Sequence, residues 1–87
     1  MAAISEIYQA AQNLRHDYQD EIGPLRDLAL QIAQLAETNL KNQTGGDIDN
    51  FALLTRGAIS RFEQKRGFCV PDPLGTALAK LIELCES

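Results

Sequence analysis

The segment DEIGPLRDL, residues 20–28, interrupts an apolar pattern of helical spacing that otherwise extends over residues 4–40. Pro24 has no amide hydrogen, and in a continuous helix its ring would collide with the carbonyl group of Asp20. The segment therefore predicts either two helices that meet at an angle or one helix of about 38 residues, about 57 Å long, that is kinked at Pro24. Because Gly23 directly before Pro24 breaks a helix more strongly than either residue alone, we favour two helices.

Further along the chain, turn residues and prolines delimit two more helical segments. Residues 41–46, KNQTGG, are polar and end in a glycine pair, which predicts the main loop. The prolines of residues 69–73 predict a stiff, extended linker. The sequence thus predicts an all-α fold, a small four-helix domain with helices at about 3–22, 24–42, 48–66 and 73–86. Phe51 and Phe62 are the largest side chains predicted for its core.

Three positions in the last two helices have a specific predicted role. Gly67 ends the third helix as a left-handed cap. Asp72 is the predicted N-cap of the fourth helix, with Pro73 at the first helical position. Gly57 lies inside the third helix, where glycine costs about 1 kcal/mol relative to alanine, so we expect another helix to approach closely there.

Length and composition restrict the class of protein. Eighty-seven residues leave room for one domain, residues 1–87, and 45% apolar with 23% charged residues is typical of globular proteins. No apolar run approaches the roughly 18–20 residues of a membrane span, and the start MAAISEIYQ lacks the features of a signal peptide. Twelve carboxylates against eight Lys and Arg give a net charge of −4, and two cysteines suit a reducing compartment. We therefore expect a cytoplasmic protein without a membrane partner.

Few side chains in this sequence could carry catalysis or bind a metal ion. His16, the single histidine, lies on the polar side of the first helix and is predicted to be solvated. Cys85 follows the apolar stripe of the fourth helix, and Cys69 is predicted to be buried beside Phe68 and Val70. The sequence thus predicts no catalytic residues, no metal site and no cofactor, which indicates that the protein is not an enzyme.

The apolar stripe of the first two helices is wider than the last two helices can cover. Counted in sevens, this stripe keeps one register across Pro24, a pattern typical of helices that pair with other helices. We therefore expect an exposed seam that binds another protein, and a second copy of the chain in a two-fold homodimer is the most direct candidate. The candidate interface residues are Tyr18, Leu25, Leu28, Ile32 and Leu35.

Charged side chains are distributed unevenly along the chain. An acidic cluster around the break is interpreted as a solvated, partner-facing surface rather than a cation site; it comprises Asp17, Asp20, Glu21 and Asp27. A basic patch near the end of the third helix comprises Arg56, Arg61, Lys65 and Arg66. This patch can offset the helix dipole, face an acidic protein partner or bind nucleic acid. Its small charge excess and the absence of interleaved exposed aromatic residues disfavour nucleic acid.

These features predict a small acidic, non-enzymatic helical module for protein–protein interaction, which self-associates and acts as an adaptor or regulator. The alternative is a nucleic-acid-associated regulatory protein that uses the basic patch. Binding to duplex DNA that weakens steeply with salt would favour this alternative.

Overall fold

Four α-helices account for most of the residues that the structure describes. This computed structural model describes residues 4–40 and 47–86, so the predicted loop at 41–46 lies outside the described residues. The helices are α1 (Ile4–Tyr18), α2 (Pro24–Leu40), α3 (Asp47–Arg66) and α4 (Leu74–Glu86). The predicted all-α, four-helix fold is confirmed, and the largest difference from the predicted helix bounds is at the end of α1.

The break between α1 and α2 is a turn of five residues. α1 ends at Tyr18, where the amide of Glu21 donates a hydrogen bond to the Tyr18 carbonyl oxygen at 3.1 Å. Gly23 has a φ of 121°, a conformation that side chains with a Cβ rarely adopt. The Gly23 carbonyl accepts the first hydrogen bond of α2 from Asp27 at 3.2 Å, and Pro24 occupies the first helical position, where no donor is needed.

This turn excludes the alternative of one long kinked helix. α2 packs against α1, and the longest dimension of the molecule is 34 Å, well below the 57 Å or so of a single helix through residues 4–40. The sequence prediction that α1 continues to residue 22 is wrong, because the chain needs these residues to reverse direction. Ile22, predicted on the apolar stripe, is 96% exposed in the turn.

The helices form a closed ring in which α1 and α3 each pack against both α2 and α4. The radius of gyration is 12.1 Å, equal to the value of about 12 Å expected for a compact chain of this length. Every helix contributes to the core, whose largest fully buried apolar side chains are Phe51, Ile7, Ile32, Leu40, Leu74, Leu78 and Leu81. Phe51 is thus confirmed as a core residue, whereas Phe62, the second predicted core aromatic residue, is half-buried at the edge of this cluster.

α2 and α3 run antiparallel along their whole contact. At one end, Asn50 Nδ2 donates a hydrogen bond to Asn39 Oδ1 at 2.6 Å. At the other end, Pro24 and Lys65 line the same surface groove. This register places Gln31 opposite Ala58, in the middle of the pair.

Ion pairs connect two of the other neighbouring helix pairs. Arg15 Nη1 lies 2.5 Å from Glu37 Oε1, which links α1 to α2, and Arg56 pairs with Glu86, which links α3 to the end of α4. All four side chains are more than a third exposed, so each pair contributes only about 0–1 kcal/mol. The ion pairs therefore contribute little to the stability of the fold, although they link neighbouring helices.

The predicted cap at Gly67 is confirmed, and Asp72 caps α4 through its side chain, but Pro73 lies before the first helical residue, Leu74, and not at the first helical position as predicted. Gly67 has a φ of 76°, and its amide donates to the Glu63 carbonyl oxygen at 2.8 Å, the pattern of a left-handed C-terminal cap. Asp72 Oδ1 accepts hydrogen bonds from the Thr76 amide at 3.1 Å and from Thr76 Oγ1 at 2.7 Å. α4 itself begins one residue later than predicted.

A glycine is required for close approach at Gly75, and not at Gly57. A Cβ at Gly57 would meet only the end of the flexible Arg61 side chain, at 3.4 Å, so no other helix of the described chain makes the close approach predicted there. A Cβ at Gly75 would lie 2.5 Å from the Val70 carbonyl oxygen, a distance that real Cβ atoms essentially never show. The α3–α4 connection therefore folds directly over the first turn of α4.

We expect Gly75→Ala to lower the free energy of unfolding by about 1–3 kcal/mol, because the methyl group displaces the backbone at Val70. The matched variant Gly57→Ala is expected to raise it by about 0.5–1 kcal/mol through helix propensity alone. Urea denaturation followed by far-ultraviolet circular dichroism measures both values. Equal stabilisation by the two substitutions would contradict the close approach at Gly75.

The core contains one buried polar side chain within the described residues, that of Thr55 on α3. It is fully buried, and its Oγ1 has no hydrogen-bond partner among these residues. A buried hydroxyl group without a partner costs about 1–3 kcal/mol. Threonine at position 55 therefore makes the folded protein less stable than valine, its apolar isostere, would.

Thr55→Val is expected to raise the free energy of unfolding by about 1 kcal/mol, because a methyl group of similar shape replaces the unpaired hydroxyl. Thr38→Val is the control, since Thr38 is exposed on α2 and its substitution should change stability by less than about 0.5 kcal/mol. The same denaturation measurement applies. A Thr55→Val variant no more stable than the control would show that the hydroxyl is satisfied in solution.

Candidate functional site

The residues predicted for an exposed interface on α1 and α2 lie in or against the core. Tyr18, Leu28 and Ile32 are buried by the helices of the same chain, and Leu25 and Leu35 are half-buried against them. The turn at residues 19–23 explains this outcome, because it folds α2 back so that both apolar stripes face inward. These residues do not form the exposed seam on which the homodimer expectation was based, and the homodimer itself stays a prediction.

A surface groove lies between the first half of α2 and the second half of α3, and we call it the α2–α3 groove. It has a volume of about 330 Å³. Its apolar lining consists of Leu28, Ala58, Phe62 and Pro24. Its polar lining consists of Asp27 and Gln31 on α2, and of Arg61, Lys65 and Arg66 on α3. The α3 residues lie on successive turns of one helix face, as the spacing of three and four residues requires.

The groove is positively charged although the whole chain is acidic. Arg61 and Lys65 form no ion pair with any described carboxylate. Asp27, the one acidic side chain in the groove lining, lies 3.4 Å from Arg26. The cations also stand at the C-terminal end of α3, where they offset the negative end of the helix dipole. The helix dipole explains why these side chains are positively charged, but it does not explain the apolar surface beside them.

The structure brings together three of the four predicted basic residues and separates the fourth. Arg61, Lys65 and Arg66 line the α2–α3 groove, with the Arg66 guanidinium carbon 6.0 Å from the centre of the Phe62 ring. Arg56 lies five residues before Arg61 and pairs with Glu86 at the end of α4, outside the groove. Helix spacing alone could not show this, because the carboxylate that neutralises Arg56 is distant in sequence.

An exposed aromatic ring stands next to these cations. Phe68 is 53% exposed and packs edge-on against Phe62, with the ring centres 6.1 Å apart and the planes at 86°. Phe68 lies just beyond the basic patch, whereas Phe62, the aromatic residue interleaved with it, is half-buried. Phe68 directly follows the Gly67 cap, and about half of its surface remains exposed.

Two leucines extend the apolar surface of the groove toward the other end of the helix pair. Leu54 is 37% exposed and lies on the same face of α3 as Ala58, Arg61 and Lys65. The antiparallel register places it opposite Leu35, which is half-buried. From Pro24 to Leu35 the surface is about 16 Å long, or about three helical turns.

The two thiols occupy different environments. Cys69 is exposed in the α3–α4 connection, so its predicted burial is wrong: the neighbouring Phe68 packs outward on Phe62 and does not cover it. Cys85 is half-buried on α4, and burial raises the pKa of its thiol, while Arg56 lowers that pKa and Asp49 raises it. His16 is exposed beside Asp17, which confirms its predicted position on the solvated face.

Comparisons with protein-family profiles, with curated proteins and with solved structures found no match to this chain. Over residues 4–40 and 47–86, no helix is long and apolar enough to cross a membrane. Within the same ranges, no three His, Cys, Asp or Glu side chains come together in a way that could hold a metal ion. The α2–α3 groove combines an apolar lining with cations that have no carboxylate partner among the described residues, and the exposed Phe68 ring packs on Phe62 of its lining.

A thiol reagent is expected to modify Cys69 faster than Cys85, because Cys69 is exposed and the raised pKa of Cys85 lowers its thiolate fraction. As pH rises through this raised pKa, Cys85 ionises, its labelling accelerates, and the stability that the protonated buried thiol contributes below its unfolded-state pKa is lost. Mass spectrometry over time measures both rates. In the Cys69→Ser variant only the slow phase should remain. Equal labelling rates of the two cysteines in the parent chain would contradict their different exposure.

Proposed function

We propose that this chain is a non-enzymatic, cytoplasmic interaction module, an adaptor or regulator, whose α2–α3 groove binds an acidic segment of a partner protein. The observation that carries this proposal is the pair of cations without carboxylate partners among the described residues, Arg61 and Lys65, in a groove whose apolar lining includes the half-buried Phe62 and Pro24. An apolar centre with a charged rim is the usual composition of a protein-binding surface. Arginine and aromatic side chains are also the types that contribute most to binding energy.

In this groove, apolar contacts are expected to supply most of the affinity, and charged contacts most of the selectivity. An exposed ion pair contributes only about 0–1 kcal/mol, so the cations alone cannot hold a partner. Burial of one large apolar side chain contributes about 1.5–3 kcal/mol. The fitting ligand therefore carries an apolar anchor for the groove lining and carboxylates on either side of it, which select for the site and accelerate association.

The dimensions of the surface fit a short segment of chain. A length of about 16 Å corresponds to about eleven residues of α-helix or about five residues of extended chain. Both helix walls are fixed by the core and by the Asn39–Asn50 hydrogen bond, so the groove exists before binding. A preformed site loses little conformational entropy when a partner binds.

The exposed Phe68 ring beside three cations also favours the nucleic-acid alternative, since single strands bind through stacked bases and a basic groove. Three cations are few for that role, and Asp27 lies within the groove lining. The net charge of −4 further opposes a polyanion. An acidic protein segment is therefore the ligand that the groove favours.

Selection of random displayed peptides on the parent chain is expected to enrich sequences in which Asp or Glu flanks an apolar residue. Arg61→Glu combined with Lys65→Glu should weaken the selected peptides by at least about tenfold, because both rim contacts become repulsive. Lys80→Glu is the control for a charge reversal outside the groove, since Lys80 is exposed on α4. Fluorescence anisotropy gives the dissociation constants.

Two outcomes would contradict the proposed function. One is the absence of enriched acidic peptides, or equal binding of such peptides to the parent chain and the double variant. The other is salt-sensitive binding of a labelled single-stranded oligonucleotide or duplex that the double variant loses, which would favour the nucleic-acid alternative.

A further inference from the structure

The turn between α1 and α2 presents an apolar side chain among carboxylates. We call residues 17–22 the acidic turn, although Asp17 and Tyr18 are the last residues of α1; Asp17, Asp20 and Glu21 are exposed. Ile22 is 96% exposed, more than any other large apolar side chain in the described residues. The turn has a defined shape, because Glu21 donates to the Tyr18 carbonyl oxygen and Gly23 holds a positive φ.

The acidic turn is the chemical complement of the α2–α3 groove. The groove offers an apolar lining with three cations, and the turn offers the exposed Ile22 side chain, with the exposed carboxylates of Asp20 and Glu21 next to it in the sequence. Within one chain the two surfaces do not combine, since Ile22 is almost fully exposed and lies outside the groove lining. A second copy of the chain can combine them.

We propose that the acidic turn of one copy occupies the α2–α3 groove of a second copy, and that the second copy does the same in return. Ile22 is two residues from Pro24, which lines the groove, so the projecting and receiving surfaces lie side by side on the molecule. In a two-fold dimer both copies use the same surface, so that surface must contain both the turn and the groove. Their position side by side meets this requirement. Rotation about an axis near Pro24 then forms two equivalent contacts at once.

This inference rests on the proposed function, because it assigns to the same groove a ligand of the same chemistry. It adds a means of regulation: the two-fold dimer covers the groove, so an acidic partner must compete with the second copy. Binding of a partner peptide is therefore expected to dissociate the dimer. The homodimer expected from the sequence reappears here through a surface that adds the exposed Ile22 and the cations of α3 to Leu28, the one predicted interface residue in the groove lining.

The first test is the mass of the full chain in solution by sedimentation equilibrium, over micromolar to millimolar concentrations. We expect the mass to rise from 9.6 kDa toward twice that value, and higher salt to weaken the association. Ile22→Ser should raise the dissociation constant by at least about tenfold through lost apolar burial. Leu53→Ser is the matched control, since Leu53 is exposed on α3 and lies outside the groove lining, and it should have no effect.

The second test uses reversed charges. Glu21→Lys alone and Lys65→Glu alone should each leave a monomer, because like charges then meet in both contacts of the dimer. An equimolar mixture of the two variants should restore a heterodimer, since each contact again joins a carboxylate to an ammonium group. Both positions are exposed, so the variants should keep the helical circular dichroism of the parent chain.

Three results would overturn the inference: a constant mass of 9.6 kDa for the parent chain, a dimer that Ile22→Ser leaves intact, or a mixture of charge variants that stays monomeric. These failures are separable from failure of the proposed function. A monomeric chain that still binds acidic peptides keeps the proposed function and loses the dimer. If the parent chain dimerises and the mixed charge variants form a heterodimer, but no displayed peptide binds, the groove serves self-association only.

Discussion

The chain reverses direction where Gly23 adopts a positive φ and Pro24 cannot donate a backbone hydrogen bond, and the remaining architecture depends on that reversal. The turn places the apolar stripes of α1 and α2 against each other, so one core forms instead of an extended seam. α3 and α4 then close the ring over this pair. This arrangement buries apolar residues from all four helices in one core and leaves Ile22, Leu53, Leu54 and Phe68 exposed.

The α2–α3 groove follows from the side chains that this packing leaves between two antiparallel helices. Ala58 is small and lies opposite Gln31, so the helix surfaces do not meet above the core. Leu28 and Phe62 form the base of the space that remains. The cations at the end of α3 are favourable for the helix in any case, because of the dipole. Their position beside an apolar base is what gives the groove its preference for an acidic ligand with an apolar anchor.

Opposite charges lie close together on one end of an acidic protein. The acidic turn and the groove rim are joined through Pro24, and neither is neutralised within the chain by the other. Unpaired charges destabilise a protein strongly only when they are removed from water. The monomer tolerates these charges because they are exposed. A partner that carries an apolar residue changes this balance, because it excludes water from both the apolar surface and the surrounding charges. Self-association and partner binding would thus depend on the same physical terms.

The sequence by itself determined the local features: four helices, the break at Gly23–Pro24, and the caps at Gly67 and Asp72. Each of these depends on residues within one or two turns of chain, where backbone geometry and hydrogen bonding act. Part of the site was also predictable, since Arg61, Lys65 and Arg66 follow one helix face. Only the tertiary structure decided that Glu86 neutralises Arg56 and that the predicted interface leucines belong to the core. It also decided that Phe68 faces solvent and that Gly75 marks the close approach, because contacts between residues distant in sequence determine what covers each helix face.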